Sequence, residues 1–111
     1  MNTIDFEDFL KVDIRVGKID RAEAFKEAIK PAVKLWIDFG AEIGIKQSSA
    51  QITENYTVEQ LVGKQILAIV NFPSKRIASF KSEVLVLGVA SPNGIVLVIP
   101  DKDASLGARV H

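Results

Sequence analysis

Six short apolar segments that largely alternate with polar residues, one helical piece between the third and the fourth, and a length of 111 residues predict an all-β domain. The arrangement is that of a β-barrel, a five-stranded Greek-key OB-fold with short N-terminal and interstrand helices and an extra C-terminal strand. With 48% apolar and 25% charged residues, the composition is that of one ordinary globular unit. Residues 1–111 are therefore read as a single domain, and folding at this length removes enough surface from water to form one core.

Each element follows from local chemistry. Ile4, Phe6, Phe9 and Leu10 share one face of a short N-terminal helix, with Thr3 or Asp5 as its cap. From Val12 the period changes to two, with Val12, Ile14, Val16 and Ile19 apolar and a break near Gly17, where glycine permits the bulge or bend that turns a barrel corner. Glu23 to Lys34 contains Pro31 and three lysines and reads as a long connection. VKLWIDFG sets Val33, Leu35, Ile37 and Phe39 against Lys34, Trp36 and Asp38 and forms the second strand; IGIKQSSAQI is a weaker third. Thr57 caps a helix of one or two turns that Gly63 closes. QILAIVNFP is a strand stopped by Pro73, and EVLVLGVAS and GIVLVIP are the arms of a hairpin over SPNG, whose Asn93-Gly94 pair suits positive φ angles.

Several function classes lack their chemistry. No cysteine is present, which excludes a disulfide scaffold, a thiol nucleophile, zinc ribbons and iron–sulfur ligation. The single histidine is the last residue, His111, where nothing fixes it as a general base, so no catalytic residue is assigned and the chain is not read as an enzyme. Asp101, Asp103 and Ser105 fail as a calcium loop because Gly107 is seventh rather than sixth and no twelfth-position Glu follows. Gly63-Lys64 lacks the upstream glycine of a phosphate-binding loop. No metal and no cofactor are expected. Asp5, Glu7 and Asp8 stand where a signal peptide carries positive charge, and SPNG breaks the longest apolar run, so the expectation is a cytoplasmic protein without membrane insertion.

Binding features remain. The 14 basic and 14 acidic residues cancel overall, yet Asn71 to Ser82 holds Lys75, Arg76 and Lys81 with no acid between them. Cations for phosphates and the rings of Phe72 and Phe80 for stacked bases are what a nucleic-acid-binding rim carries, and they are equally a solvated loop whose phenylalanines close the barrel. Lys26, Lys30 and Lys34 form a second basic cluster, diluted by Glu23 and Glu27. Lys46, Gln47, Ser48 and Ser49 make a polar strand whose amide and hydroxyls suit phosphate, sugar or base edges. Trp36, on the polar register of its strand, is either a rim residue or the wall of a groove for apolar side chains. The final hairpin is apolar at almost consecutive positions, so both its faces need cover, from the N-terminal helix or from a second subunit.

The strings FLKVDIRVGKI, KPAVKLWIDFG, IGIKQSSAQIT, LVGKQILAIVNFPSKRIASFKSEVLVLG and SPNGIVLVIPD resemble the CsaA family, small OB-fold proteins of the tRNA-binding-domain superfamily, over essentially the whole chain. VDIRVGKI carries the likeness to the superfamily; IDFGAEIGIKQSSAQIT, NFPSKRIA and SEVLVLG carry the likeness to the family. The resemblance implies a homodimeric, ATP-independent export chaperone that binds unfolded or preprotein polypeptides and associates with the translocating ATPase SecA, on a fold built for tRNA. It implies RNA contacts at Asn71, Lys75, Arg76, Ser82 and Glu83, with Gln47, Ser48 and Ser49 on the facing strand and Lys30 and Lys34 at the basic entry to the second strand. One departure is Ser82-Glu83-Val84-Leu85, where tRNA binders of the superfamily commonly read Ser-Gln-Gly-Met, which places an anion beside that surface. Polypeptide contacts are expected at Trp36, Phe72 and Phe80, with the N-terminal helix and the C-terminal strand in the dimer interface. The alternative is a module that acts on tRNA rather than on polypeptides.

Overall fold

The computed structural model describes residues 1–111. Its elements are α1 (Phe6–Leu10), β1 (Ile14–Ala24), β2 (Val33–Asp38), β3 (Ile45–Ala50), α2 (Val58–Leu61), β4 (Gln65–Ile69), β5 (Lys75–Ile77), β6 (Phe80–Ser82), β7 (Leu85–Val86), β8 (Gly88–Ser91) and β9 (Gly94–Leu97). Five strands form an antiparallel sheet in the order β3-β2-β1-β4-β7, and two ribbons, β5–β6 and β8–β9, are attached to it. The sheet curls until Glu83 N–H donates to Gln47 O (2.8 Å) and Ser48 Oγ donates to Val84 O (2.8 Å), which nearly closes a five-stranded barrel. The OB-type fold is thus present.

β1 is the strand that bends. Ile14–Lys18 pairs with β4, and Lys18–Ala24 pairs with β2. The register slips between Ile19 and Arg21, so Asp20 is the bulged residue, three positions beyond the expected break at Gly17. Gly17 serves a different purpose: a Cβ there would stand 2.5 Å from Ile37 Cγ2 and 2.7 Å from Phe39 Cε1. β1 also runs on through Glu23 and Ala24, shortening the expected connection to residues 25–32.

Inside the barrel, Ile19, Val33, Leu35, Ile37, Phe39, Leu61 and Ile66 are buried together. The second strand supplies every other residue to this core, as its period of two requires. Thr57 caps α2 by accepting from Gln60 N–H (3.2 Å), while the Gln60 side chain accepts from Thr57 N–H (3.0 Å), a reciprocal capping box. The final turn places Pro92 and Asn93 between paired Ser91 and Gly94. Only Gly94 takes a positive φ (+113°), because proline fixes φ near −65° and excludes the turn with both central residues left-handed.

A second, smaller core lies on the outside of the barrel wall. Arg21 pairs with Trp36 and Trp36 with Gln47, so these side chains share the outer face of β1–β2–β3. The ribbon β5–β6 folds over that face and inserts Phe80 against Phe25 (5.5 Å between centroids) and Trp36 (5.8 Å), both edge-on. Arg21 lies 4.3 Å from the Trp36 ring centroid and Lys34 Nζ 4.9 Å from that of Phe25, each supplying a cation–π contact.

The two ends of the chain meet on β1. Gly107 N–H donates to Val16 O and Val110 N–H to Ile14 O, both at 2.8 Å. Asp13 ties this seam: Arg15 binds it at 2.6 Å, Arg109 stands at 3.5 Å, and Arg109 also donates to Leu10 O (2.8 Å). The hydrogen bond from Arg15, outweighing partial burial, holds the Asp13 carboxyl below the usual carboxylate range and raises the Arg15 guanidinium in turn. α1 buries none of its residues, so it does not cover the final hairpin. No helix is long and apolar enough to cross a membrane.

Candidate binding surface

The segment expected to be a basic loop is the ribbon β5–β6, with Lys75 opposite Ser82, Arg76 opposite Lys81 and Ile77 opposite Phe80. Directly opposed residues share a face. Ile77 and Phe80 turn inward to the small core, so Arg76 and Lys81 turn outward together. The ion pairs of the structure engage Lys11, Arg15, Arg21, Lys34 and Arg109; Lys30, Lys46, Lys75, Arg76 and Lys81 have no carboxylate partner. Two like charges facing one another on an exposed ribbon repel, and an anion between them relieves that repulsion.

Other candidate residues are occupied within the protein. Asn71 accepts from Asp13 N–H (3.0 Å) and donates to Lys11 O (2.8 Å), stapling the end of α1 to the strand end after β4. Glu83 accepts from Gln47 N–H (3.0 Å), and Ser82 Oγ accepts from Ser49 N–H (3.2 Å), so both close the barrel. With its amide NH2 directed at Lys81 O (3.0 Å), the Gln47 side chain accepts from Trp36 Nε1 (3.2 Å) and joins ribbon to wall. Ser48 lies opposite Leu35 on the core face, is 1% exposed and spends its hydroxyl on Val84 O, so it presents nothing to a ligand here. Lys46, opposite Ile37, is at the rim of that same face. Lys34, half-buried, is held by Glu27 (3.3 Å) and by the rings beneath it. Phe80 is 8% exposed and Trp36 is half-covered by the ribbon, whereas Phe72 is open at 49%. The polar register of Trp36 is thereby accounted for, since a second core covers it.

Two clefts adjoin this region. A cleft of about 380 Å³ lies between the 25–32 loop and β5, lined by Ala28, Lys30, Ser49, Gln51, Lys75 and Arg76 among others. A larger one, about 660 Å³, runs between the segment Ser49–Glu54 and the strands β7–β9, with Ile52, Val86, Ala90 and Ile95 in its walls. Lys30, Ser49 and Gln51 line both. Gln51, Thr53 and Glu54 escape pattern reading because they sit in an irregular stretch that acquires a role only when the hairpin folds opposite. Leu85 at the edge of this cleft, Val89 and Val96 on the final hairpin and Ile99 after it are exposed, as are Ile4 before α1 and Phe6 and Leu10 within it.

The family described as "Putative tRNA binding domain" matches residues 14–109, from the first residue of β1 to the seam that closes the chain onto it. The fold superposes with a TM-score of 0.94 on the crystal structure of a CsaA chaperone protein from Picrophilus torridus, at 53% identity, covering 98% of this chain and all of that one. The chain belongs to the CsaA family of tRNA-binding domains. A second CsaA chaperone, from Bacillus anthracis, matches at 53% identity and a TM-score of 0.92, covering 99% of this chain and all of the other. A methionine–tRNA ligase of Methanococcoides burtonii is 37% identical over 109 residues, 97% of this chain. The CsaA-family chain spans only 16% of that ligase's length, so the likeness is to a part of the enzyme.

Proposed function

We propose that this CsaA-family domain is an ATP-independent chaperone that holds unfolded polypeptide segments, including preproteins on their way to export. The observation that carries this reading is the cleft of about 660 Å³ with apolar Ile52, Val86, Ala90 and Ile95 in its walls and the exposed Leu85 at its edge. The chaperone description of two full-length relatives supports it. In this reading the protein is a cytoplasmic homodimer in which a second copy covers α1 and the outward Val89–Val96 face of the C-terminal hairpin, and SecA receives the client. Of the aromatic residues expected to touch polypeptide, Phe72 is the open one, and Leu85 with the apolar walls of the larger cleft takes the place of Trp36 and Phe80. The test is suppression of aggregation: a stoichiometric amount of this protein keeps a chemically unfolded client from scattering light, without ATP. Scattering at the rate of the client alone refutes the reading.

The unpaired cations of β5–β6 favour a second activity, binding of tRNA through Lys75, Arg76 and Lys81 with Lys30 and Ser49 at the cleft edge. The tRNA-binding domain shared with the ligase supports it. Titration of labelled bulk tRNA at two salt concentrations, with an unfolded apolar peptide as competitor, separates the readings. Salt-sensitive binding supports the tRNA surface; no binding at low salt removes it and leaves the chaperone.

A further inference from the structure

The last hairpin leaves one strand edge open. In β9, Ile95 O accepts from Asn55 Nδ2 and Leu97 N–H donates to the Tyr56 hydroxyl, both at 3.0 Å, so the backbone groups of these two residues point away from β8. Directly opposed residues of an antiparallel pair turn their backbone groups toward each other or away together. Ala90 and Gly88, opposite Ile95 and Leu97, therefore point theirs away from β9. Side chains thus occupy the outer edge of β9. Along β8, Gly88, Val89 and Ala90 are exposed, no second strand lies alongside, and no backbone hydrogen bond from a turn or loop reaches Gly88 or Ala90.

Gly88 and Ala90 line the larger cleft, whose opposite wall is Ser49–Glu54. At a strand spacing of ~4.8 Å and a sheet thickness of ~10 Å, a volume of about 660 Å³ holds roughly four residues of extended chain. We propose that this cleft takes an extended segment of a non-native polypeptide as an added strand on β8, which deepens and rests on the chaperone reading. Donors and acceptors that recur every second residue are matched by another extended backbone, and a nucleic acid has no N–H groups at that period. The missing side chain of Gly88 lets Ile95 Cγ2 close over that position, where a Cβ would stand 2.5 Å from it, and Ile95 and Val86 form the apolar floor beside the small Ala90. Lys30 and Glu54 both line the cleft and favour a segment that carries an acidic and a basic side chain.

The full-length protein is titrated against a fluorescein-labelled eight-residue peptide with apolar residues at alternate positions, read by fluorescence anisotropy. Two further peptides carry N-methyl groups on the odd or on the even amides. An added strand directs every second N–H to β8, so one methylated peptide loses about tenfold or more in affinity while the other stays within about twofold. Ala90→Pro removes an edge donor that no ladder uses and reproduces the larger loss. Equal affinities for the two methylated peptides overturn strand addition and leave the chaperone reading in place. No binding of the unmethylated peptide overturns both. If Ala90→Pro instead splits a dimer, as light scattering reports, the edge belongs to a second copy and the proposal fails.

Discussion

Replacing Gly17 by alanine tests whether β1 and β2 are held at a distance that only a missing side chain allows. The new methyl would stand 2.5 Å from Ile37 Cγ2, 2.7 Å from Phe39 Cε1 and 2.9 Å from Phe39 Cδ1. Ordinary carbon contacts lie at about 3.5–4.0 Å, so relief demands roughly 1 Å of movement. Phe39 is 1% exposed and Ile37 is fully buried, so neither can yield to solvent. Overpacking of this kind costs about 1–3 kcal/mol, and the smaller unfolded-state entropy of alanine returns about 0.4–1 kcal/mol. The net loss is about 1–2 kcal/mol, a fall in Tm of roughly 5–15 °C for a domain of this size. Urea unfolding at neutral pH measures it. The double variant Gly17→Ala/Phe39→Leu loses less than the two single losses added together, since the methyl then enters space the ring has left. A Gly17→Ala protein as stable as the parent refutes the steric account.

Charge reversal at Lys75 and Arg76 weakens tRNA binding and lowers the slope of log affinity against log salt by roughly 1.5, about 0.7–0.9 for each phosphate no longer contacted; an unchanged slope excludes the ribbon as the contact. Phe80→Ala removes the ring that joins ribbon to wall, costs about 3 kcal/mol and shifts the emission of Trp36, the single tryptophan, to longer wavelength, both read in one denaturation series. Asp13 ionises more readily in the folded state than in the unfolded one, where its pKa is about 3.9, so its contribution is complete above that value and disappears as pH falls through it toward the lower folded value. Asp13→Asn therefore flattens the acid limb of the stability profile below about pH 4; an unaltered limb excludes the seam as its source.

The core strands were legible because their burial is local arithmetic. Val33, Leu35 and Ile37 alternate with residues that face outward, and Thr57 and Gly63 bracket α2 with side-chain and φ chemistry confined to a few positions. What escaped depends on partners distant in sequence. The β5–β6 ribbon has strands of three residues with Ile77 and Phe80 as its inward pair, too short for a period to emerge, and its burial surface is the outer face of β1–β2–β3. The bulge at Asp20 is a property of the pairing between β1 and β2, so a glycine three residues away drew the expectation. Among the candidate site residues, the exposed cations were readable from charge alone. Ser48, Glu83 and Asn71 look like ligand-binding groups as residue types, and only the folded register reveals that carbonyls and amides of the barrel claim them.

The two clefts bear on how polypeptide and RNA would share one small domain. A formal net charge of zero does not forbid an anion site, because the charges are sorted: unpaired Lys30, Lys75 and Arg76 converge on the smaller cleft, while Glu54 lies in the larger one. Lys30, Ser49 and Gln51 belong to both walls, so a phosphate drawn to Lys30 takes the cation that would otherwise meet an acidic group of the polypeptide. Linkage makes any such antagonism reciprocal, with each ligand weakening the other by the same factor. Salt divides the two, since screening weakens phosphate contacts steeply and leaves apolar burial and backbone pairing on β8 largely intact. If both ligands bind as proposed, the shared lysine would favour RNA at low salt, and as ionic strength rises the same residues would be left to the polypeptide.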